Sequence, residues 1–238
     1  MWQYIAEVNL DNQPFTDRYL NNIPAVSALS KDGGICFNSP VTFFVGDNGT
    51  GKSTILEAIA VAFGFNAEGG SRNFTFSTAE SHSSLYENII LKKRSFAKDG
   101  YFLRAESVYN LASNIDELKV SSSYGGASLH TMSHGESFLT LVQKRFGGDG
   151  LYILDEPEAA LSPSKQLTLL CEINRLVNAN SQLIIATHSP ILMAYPGADI
   201  LLFSDKGIEK VTYQDTEHYR ITKDFLSSPE RILKHLLQ

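Results

Sequence analysis

Apolar and polar positions alternate along residues 2 to 10 (WQYIAEVNL), which predicts a β-strand. Turn-forming residues crowd Asp11 to Pro14 and Asn21 to Pro24, and Ile35 to Phe37 predict a second short strand. The run Val41, Thr42, Phe43, Phe44, Val45 predicts a third strand, apolar enough to be buried. Behind it, Ile55, Ile59 and Ala62 share one face of a helix running from Lys52 to about Phe63, with Leu56 and Phe63 beside them. That face is expected to pack on a sheet. Gly64 to Gly70 break the helix, and the polar stretch Ser71 to Ser84 reads as loop with short strands. Residues 100 to 109 (GYFLRAESVY) read as a strand passing into a helix, and Asn114 to Ser123 lead to a glycine turn at Gly125 and Gly126. No heptad pattern occurs between Ser53 and Ser133, which excludes a long coiled-coil arm there.

The second half is more regular. Phe138, Leu139, Leu141 and Val142 have helical spacing, with Ser133 or Ser137 near the N-terminus. Gly147, Gly148 and Gly150 end that helix, and Leu151 to Leu154 form an apolar strand of the kind covered on both faces. Ser162 and Pro163 suit an N-cap and a first helical residue for a helix reaching about Asn178. Leu183 to Thr187 predict another apolar strand. Strands near Asp199 to Phe203 and Ile208 to Tyr213, then helices near Glu217 to Leu226 and Glu230 to Leu237, read as a sheet edge and a covering layer.

Chemistry concentrates at the ends of the apolar strands. Gly46 to Ser53 (GDNGTGKS) match a phosphate-binding loop, a glycine, four free positions, then Gly-Lys-Ser, in the required strand-to-helix context. The glycines let successive N–H groups turn towards one anion, and the helix starting at Lys52 adds its positive end. Lys52 is expected to reach the β and γ phosphates, and the Ser53 hydroxyl to ligate magnesium. Asp155 and Glu156 follow the strand at Leu151 to Leu154, read as a neighbour of the strand before the loop. Asp155 is expected to orient magnesium, directly or through water, and Glu156 to polarise the attacking water. Taken alone, such a pair is equally an N-cap and a solvated carboxylate. His188 follows the strand at Leu183 to Thr187 and is expected to hydrogen-bond the γ-phosphate or its attacking water.

Composition narrows the context. A chain of 238 residues with 43% hydrophobic content can bury the core of one α/β domain. A formal charge of −6 excludes a surface basic all over, so nucleic-acid contact would need a local patch. Lys92, Lys93 and Arg94 form one candidate, which reads equally as a solvated face. Cys36 and Cys171 lie far apart without metal-like spacing, as in a cytoplasmic protein with reduced thiols. No signal peptide is evident, and no stretch approaches the roughly 20 apolar residues of a membrane span.

Together GDNGTGKS, SHGES, LYILDEPEAALS and IIATHSP, in that order, resemble the Walker A, signature, Walker B with D-loop, and switch-histidine segments of ABC-type ATPases. The chain resembles the head domains of the RecF, SMC and Rad50-like group, and above all the compact stand-alone bacterial ATPases without an arm; FNAEGGS, FLRAES and SHGESFL carry the latter likeness. The resemblance implies an α/β P-loop NTPase fold. A mostly parallel central sheet flanked by helices is joined by an N-terminal antiparallel portion and a small helical lobe, about residues 72–148, bearing the signature. It further implies magnesium-dependent ATP hydrolysis by a head-to-tail homodimer with ATP trapped between subunits. Loop residues Gly46, Asp47, Asn48, Gly49, Thr50, Gly51, Lys52, Ser53 and Thr54 bind the nucleotide. Ser133, Gly135 and Glu136 belong to the signature, whose serine and glycine close on the γ-phosphate held by the opposite subunit. From the residues alone, Ser133 and Glu136 are also an ordinary capping box.

Two departures from the family pattern stand out. His134 replaces a glycine of the signature, and no glutamine occurs between Gln13 and Gln143, so the usual magnesium-contacting glutamine is missing. Glu106 is carried as its substitute, with a salt bridge to Arg104 as the alternative reading. Tyr4, Phe15 and Tyr19 are candidates to stack on adenine. Two rival functions stay open: an ATP-gated dimerising switch that binds DNA or a protein effector, and the energy subunit of a membrane transporter. Neither involves direct membrane insertion by this chain.

Overall fold

The computed structural model describes residues 3–11, 13–71, 83–105 and 133–237. Its largest element is a six-stranded sheet built from β3 (Val41–Gly46), β5 (Asp99–Arg104), β6 (Gly150–Asp155), β7 (Gln182–Ala186), β8 (Asp199–Ser204) and β9 (Gly207–Val211). The spatial order is β5-β6-β7-β3-β8-β9; the first five strands run parallel, and β9 returns antiparallel to β8 at the edge. A second, antiparallel sheet has β1 (Ile5–Leu10) between β2 (Ile35–Cys36) and β4 (Ile89–Lys93). This is the α/β architecture expected from the pattern, with one correction. The strand carrying Asp155 is not next to the loop strand: β7 lies between β6 and β3.

The central strands are apolar because both of their faces are covered. Every residue of β3, β6 and β7 is buried. Successive side chains point to opposite faces, so Val41, Phe43 and Val45 join one core cluster and Phe44 the other. On the first face lie α3 (His134–Arg145), through Phe138, Leu141 and Val142, and α4 (Pro163–Asn178), through Leu169, Ile173 and Leu176. On the second face lie α1 (Pro24–Asp32) and α2 (Lys52–Phe63). One turn of helix, α5 (Pro190–Met193), adds Leu192 and Met193 to the first cluster, whereas α6 (Glu217–Ser227) and α7 (Pro229–Leu236) bury none of their residues and do not form the covering layer expected of them.

Helix α2 is enclosed more widely than a one-faced pattern suggests. Ile55 and Ile59 are buried as expected, but so are Leu56, Ala58 and Ala60, while Ala62 is only half-buried. The cause is the small antiparallel sheet, whose Ile5 and Val8 join the same cluster, so α2 is packed from two sides. Helix α1 starts at the last residue of the turn-forming stretch Asn21 to Pro24 and runs on through residues for which no element was expected; Pro24 at its first position and Gly33 at φ 80° just past its end mark it. The basic run at Lys92 and Lys93 proves to be part of edge strand β4. The glycine turn at Gly125 and Gly126 and most of the loop at Ser71 to Ser84 lie outside the described residues. Among those described, no helix is long and apolar enough to cross a membrane.

Among the described residues, a buried side chain hydrogen-bonds one sheet to the other. Gln182, at the start of β7, accepts hydrogen bonds from the backbone N–H groups of Tyr4 and Ile5, both at 2.9 Å, and donates to the Ile5 carbonyl at 2.9 Å. The residue is fully buried, so removing it strands peptide groups that cannot reach water. Gln182→Ala is expected to cost about 2–4 kcal/mol, read as a lower urea midpoint at unchanged slope. A change below about 0.5 kcal/mol would contradict this role.

Candidate active site

The phosphate-binding loop leaves the C-terminal end of β3 and enters α2 at Lys52. Two of its glycines are required by shape. A Cβ at Gly46 (φ 139°) would meet the Phe203 carbonyl oxygen at 2.1 Å, and one at Gly51 (φ 99°) would meet Ile23 Cγ2 at 2.4 Å. Asp47, Asn48 and Gly49 form the exposed crest, Thr50 Oγ1 donates to the Asp47 carbonyl, and Thr54 lies half-buried on the first turn of α2. The buried Lys52 ammonium donates to the carbonyls of Gly46 and Asp47, each at 2.8 Å. Burial pulls its pKa below the usual lysine range, against the opposing pull of Glu156, Asp155, Asp47 and Glu158.

Ser53 links the loop to the end of β6. Its Oγ donates to Asp155 Oδ1 at 2.9 Å. Asp155 is buried and also faces a cation, since Arg104 Nε lies 3.6 Å from its Oδ2. Arg104 is in register with Asp155 across the β5–β6 pair, and its Nη1 donates to Glu57 Oε2 at 2.8 Å, tying both strands to α2. The hard oxygens of Ser53 and Asp155 suit magnesium. At Mg–O distances of about 2.05 Å, adjacent oxygens of an octahedron lie about 2.9 Å apart, matching their separation. Glu106 lies outside the described residues.

Glu156 adopts a left-handed conformation, φ 49° and ψ 50°, which costs a non-glycine residue on the order of 1 kcal/mol. Its N–H donates to the Ala186 carbonyl at 3.0 Å, and its carboxylate is half-exposed, with Oε1 3.7 Å from His188 Nε2. His188 itself is gripped from two directions. Its backbone N–H donates to Glu158 Oε1, and its Nδ1 lies 2.9 Å from Nε2 of His218 on α6. Its Nε2 is buried without a hydrogen-bond partner. Glu158 also accepts from Thr187 Oγ1 at 2.7 Å, and burial raises its pKa. Farther along, Ser189 Oγ donates to Gln166 Oε1, fastening the next turn to α4.

Ser133 caps α3 as a full capping box, accepting from Glu136 N while Glu136 Oε2 takes Ser133 N at 2.9 Å and Ser133 Oγ at 2.7 Å. Hydrogen bonding to Ser133 holds the Glu136 carboxyl below the usual range. Lys165 Nζ donates to the same serine oxygen at 3.2 Å. The side chain of Ser133 thus has its partners on α3 and α4, none on the loop at Gly46 to Ser53. Gly135 packs so tightly that a Cβ would sit 2.6 Å from the Ala160 carbonyl oxygen. His134 lines an open cleft of about 400 Å³ with Ser53, Arg104, Asp155 and Glu156.

The loop, Asp155, Glu156 and His188 are therefore brought together; of the signature, His134 shares the cleft with Ser53 and Asp155, while the Ser133 side chain bonds to α3 and α4 instead of the loop. Arg104 and His218 complete the constellation but carry no local signature; Glu158 has only the Asp-Glu-Pro-Glu string, whose third carboxylate follows a proline, as its signal. Of the three adenine candidates, Tyr4 is buried with its hydroxyl donating to the Asn180 carbonyl, at the opposite sheet edge. Phe15 is packed against the core, and Tyr19 is 52% exposed. The candidate basic patch is partly engaged: Lys92 pairs with Glu7 at 3.2 Å, and Lys93 covers the Phe63 ring.

Comparison with known proteins finds similar sequences and folds. Residues 20–124 match a family model described as an AAA domain, and residues 126–194 match one described as AAA domain, putative AbiEii toxin, Type IV TA system. An uncharacterized ABC transporter ATP-binding protein of Haemophilus influenzae is 27% identical over 81% of each chain. Structural maintenance of chromosomes protein 6 of Takifugu rubripes is 33% identical over 98 residues, 41% of this chain and 8% of that protein. In fold, CbiO1 of Clostridium perfringens, part of the ABC transporter complex CbiONQ, superposes with a TM-score of 0.50 at 19% identity over 99% of both chains. With two AAA-domain matches over residues 20–194 and an ABC transporter ATP-binding protein among its relatives, the chain is an ATPase of the P-loop type.

Proposed function

We propose that the protein hydrolyses ATP with magnesium in a site completed by a second copy of the chain. The observation that carries this reading is the 2.9 Å link between Ser53 Oγ and Asp155 Oδ1. It joins the residue after the loop lysine to the carboxylate ending β6, two oxygens that hold magnesium in this family's arrangement. Ser53 and Asp155 would hold the magnesium, which when bound would offset the charge of the phosphates.

The chain's own residues supply the rest. Lys52 exchanges the Gly46 and Asp47 carbonyls for phosphate oxygens, which the loop N–H groups and the α2 N-terminus also bind. Glu156 accepts a proton from water as its oxygen attacks the γ-phosphorus and the bond to the departing ADP oxygen breaks. The orphaned Nε2 of His188, beside Glu156, donates to a γ-phosphate oxygen. Ser133 and Gly135 of the partner subunit close the other side with the N-terminus of its α3; in one chain these residues have no partner on the loop, which favours action across an interface. Of Tyr4, Phe15 and Tyr19, the exposed Tyr19 is the one assigned to meet adenine. Turnover in the cytoplasm would drive a DNA or protein effector engaged by the closed dimer.

Lys52→Ala is expected to lower ATP turnover by at least about 100-fold. Glu156→Gln is expected to lower it by about 10²–10⁴-fold while nucleotide binding survives; hydrolysis at the wild-type rate would remove Glu156 from its assigned role. With magnesium and ATP, the Glu156→Gln protein is expected to elute as a dimer on sizing, and as a monomer after chelation. An unchanged monomer would rule out the shared site.

A further inference from the structure

The histidine facing the γ-phosphate position does not act alone. His188 Nδ1 and His218 Nε2 lie 2.9 Å apart, with ring centroids 5.0 Å apart and planes tilted by 58°. A hydrogen bond between two imidazoles requires one shared proton, donated by one ring and accepted by the other. Which ring donates decides the opposite end of His188. If His188 donates from Nδ1, its Nε2 is a bare lone pair turned towards the Glu156 carboxylate at 3.7 Å and towards any phosphate beside Lys52. Lone pair would then face anion. If His218 donates, Nε2 of His188 carries the proton and points a donor at those same anions. The second arrangement is electrostatically favoured, and it supplies what a phosphate oxygen needs.

The surroundings disfavour the charged form of both rings, which favours a pair sharing one proton between two neutral imidazoles. Burial lowers the pKa of His188, and Lys52 lowers it further, against Glu156 and Asp47. Burial likewise lowers that of His218, helped by His188 and Lys52 and opposed by Glu217 and Asp47. The segment bearing His218 is also fixed in place. Thr216, buried, caps α6, and Tyr213 Oη donates to the Pro190 carbonyl at 2.8 Å, two residues beyond His188. Glu158, gripping the His188 backbone N–H from the other side, completes a clamp that leaves Nε2 as the one unengaged atom of the ring able to hydrogen-bond.

We propose that His218 is a positioning residue for hydrolysis: its Nε2–H donates to Nδ1 of His188 and so holds His188 as the tautomer whose Nε2–H faces the γ-phosphate. This rests on the role given to His188 above. A histidine on α6 thereby becomes part of the site's chemistry, and α6 becomes a route by which anything bound to that end of the fold would alter turnover.

Ring nitrogen NMR of the full-length protein labelled with ¹⁵N-histidine, without nucleotide, tests the tautomer directly. The expected result is a protonated Nε2 and a bare Nδ1 on His188; a proton on Nδ1 of His188 overturns the proposal. Kinetics supply the second test. His218→Phe is expected to lower kcat about 10- to 100-fold with KM for ATP unchanged, and His218→Gln, which retains an N–H donor, to recover most of the loss. An unaffected His218→Phe protein, or a His218→Gln protein equally slow, overturns it. Lack of turnover in the wild type would instead sink the hydrolysis reading, and the ring nitrogens would still decide what His218 does.

Discussion

Ala186 is in parallel register with two residues at once, Phe44 on one side and Asp155 on the other. That double pairing is the constraint on which the site depends. Parallel strands in register end at the same edge, so the loop after Gly46, the carboxylates at Asp155 and Glu156, and the histidine two residues past Ala186 emerge side by side. The pairing continues past the strands themselves: Glu156 N donates to the Ala186 carbonyl and Thr187 N to the Phe44 carbonyl. A slip of one residue in either pair would turn every side chain of the displaced strand to the opposite face. The continuous apolar cores on both faces prevent it.

Around this edge the structure gathers groups that are unfavourable singly and acceptable together. Buried Asp155 is balanced by Arg104 and bound by Ser53; Arg104 in turn is held by Glu57. Glu158, whose burial favours its neutral form, is anchored by Thr187 and the His188 backbone. Glu156 occupies a strained conformation that only its neighbours sustain, between a strand and a proline-led turn. Such an arrangement is preorganised: its dipoles and charges are fixed before any phosphate arrives. The same fixity demands a glycine at 135 within one chain, because a Cβ there would meet the Ala160 carbonyl oxygen at 2.6 Å, whatever the residue does for a partner.

Much of this could be read from the residues because its determinants are local. GDNGTGKS needs only its flanking strand and helix, and Lys52–Phe63 is the helix expected. The Ser133–Glu136 box, the Pro163 start and the apolar runs of β6 and β7 each encode one element within a few positions. What escaped depends on contacts distant in the chain. Strand order is not written in any one strand, so β7 between β6 and β3 came only from the fold. The extra burial of α2 comes from a sheet formed by residues on both sides of it in sequence. Lys92 and Lys93 look basic in a row, yet one faces Glu7 and the other an aromatic ring. His218 has no motif at all; its meaning comes from a partner 30 positions earlier.

The central claim is that one triphosphate is met by the loop, the end of β6 and the end of β7 of a single chain. The measurement that addresses it most directly is a structure of the Glu156→Gln protein with magnesium and ATP. It should show the γ-phosphate within hydrogen-bond distance of both Lys52 Nζ and His188 Nε2, with the metal on the Ser53 and Asp155 side. A γ-phosphate out of reach of His188, or a metal away from Ser53 and Asp155, would contradict the account.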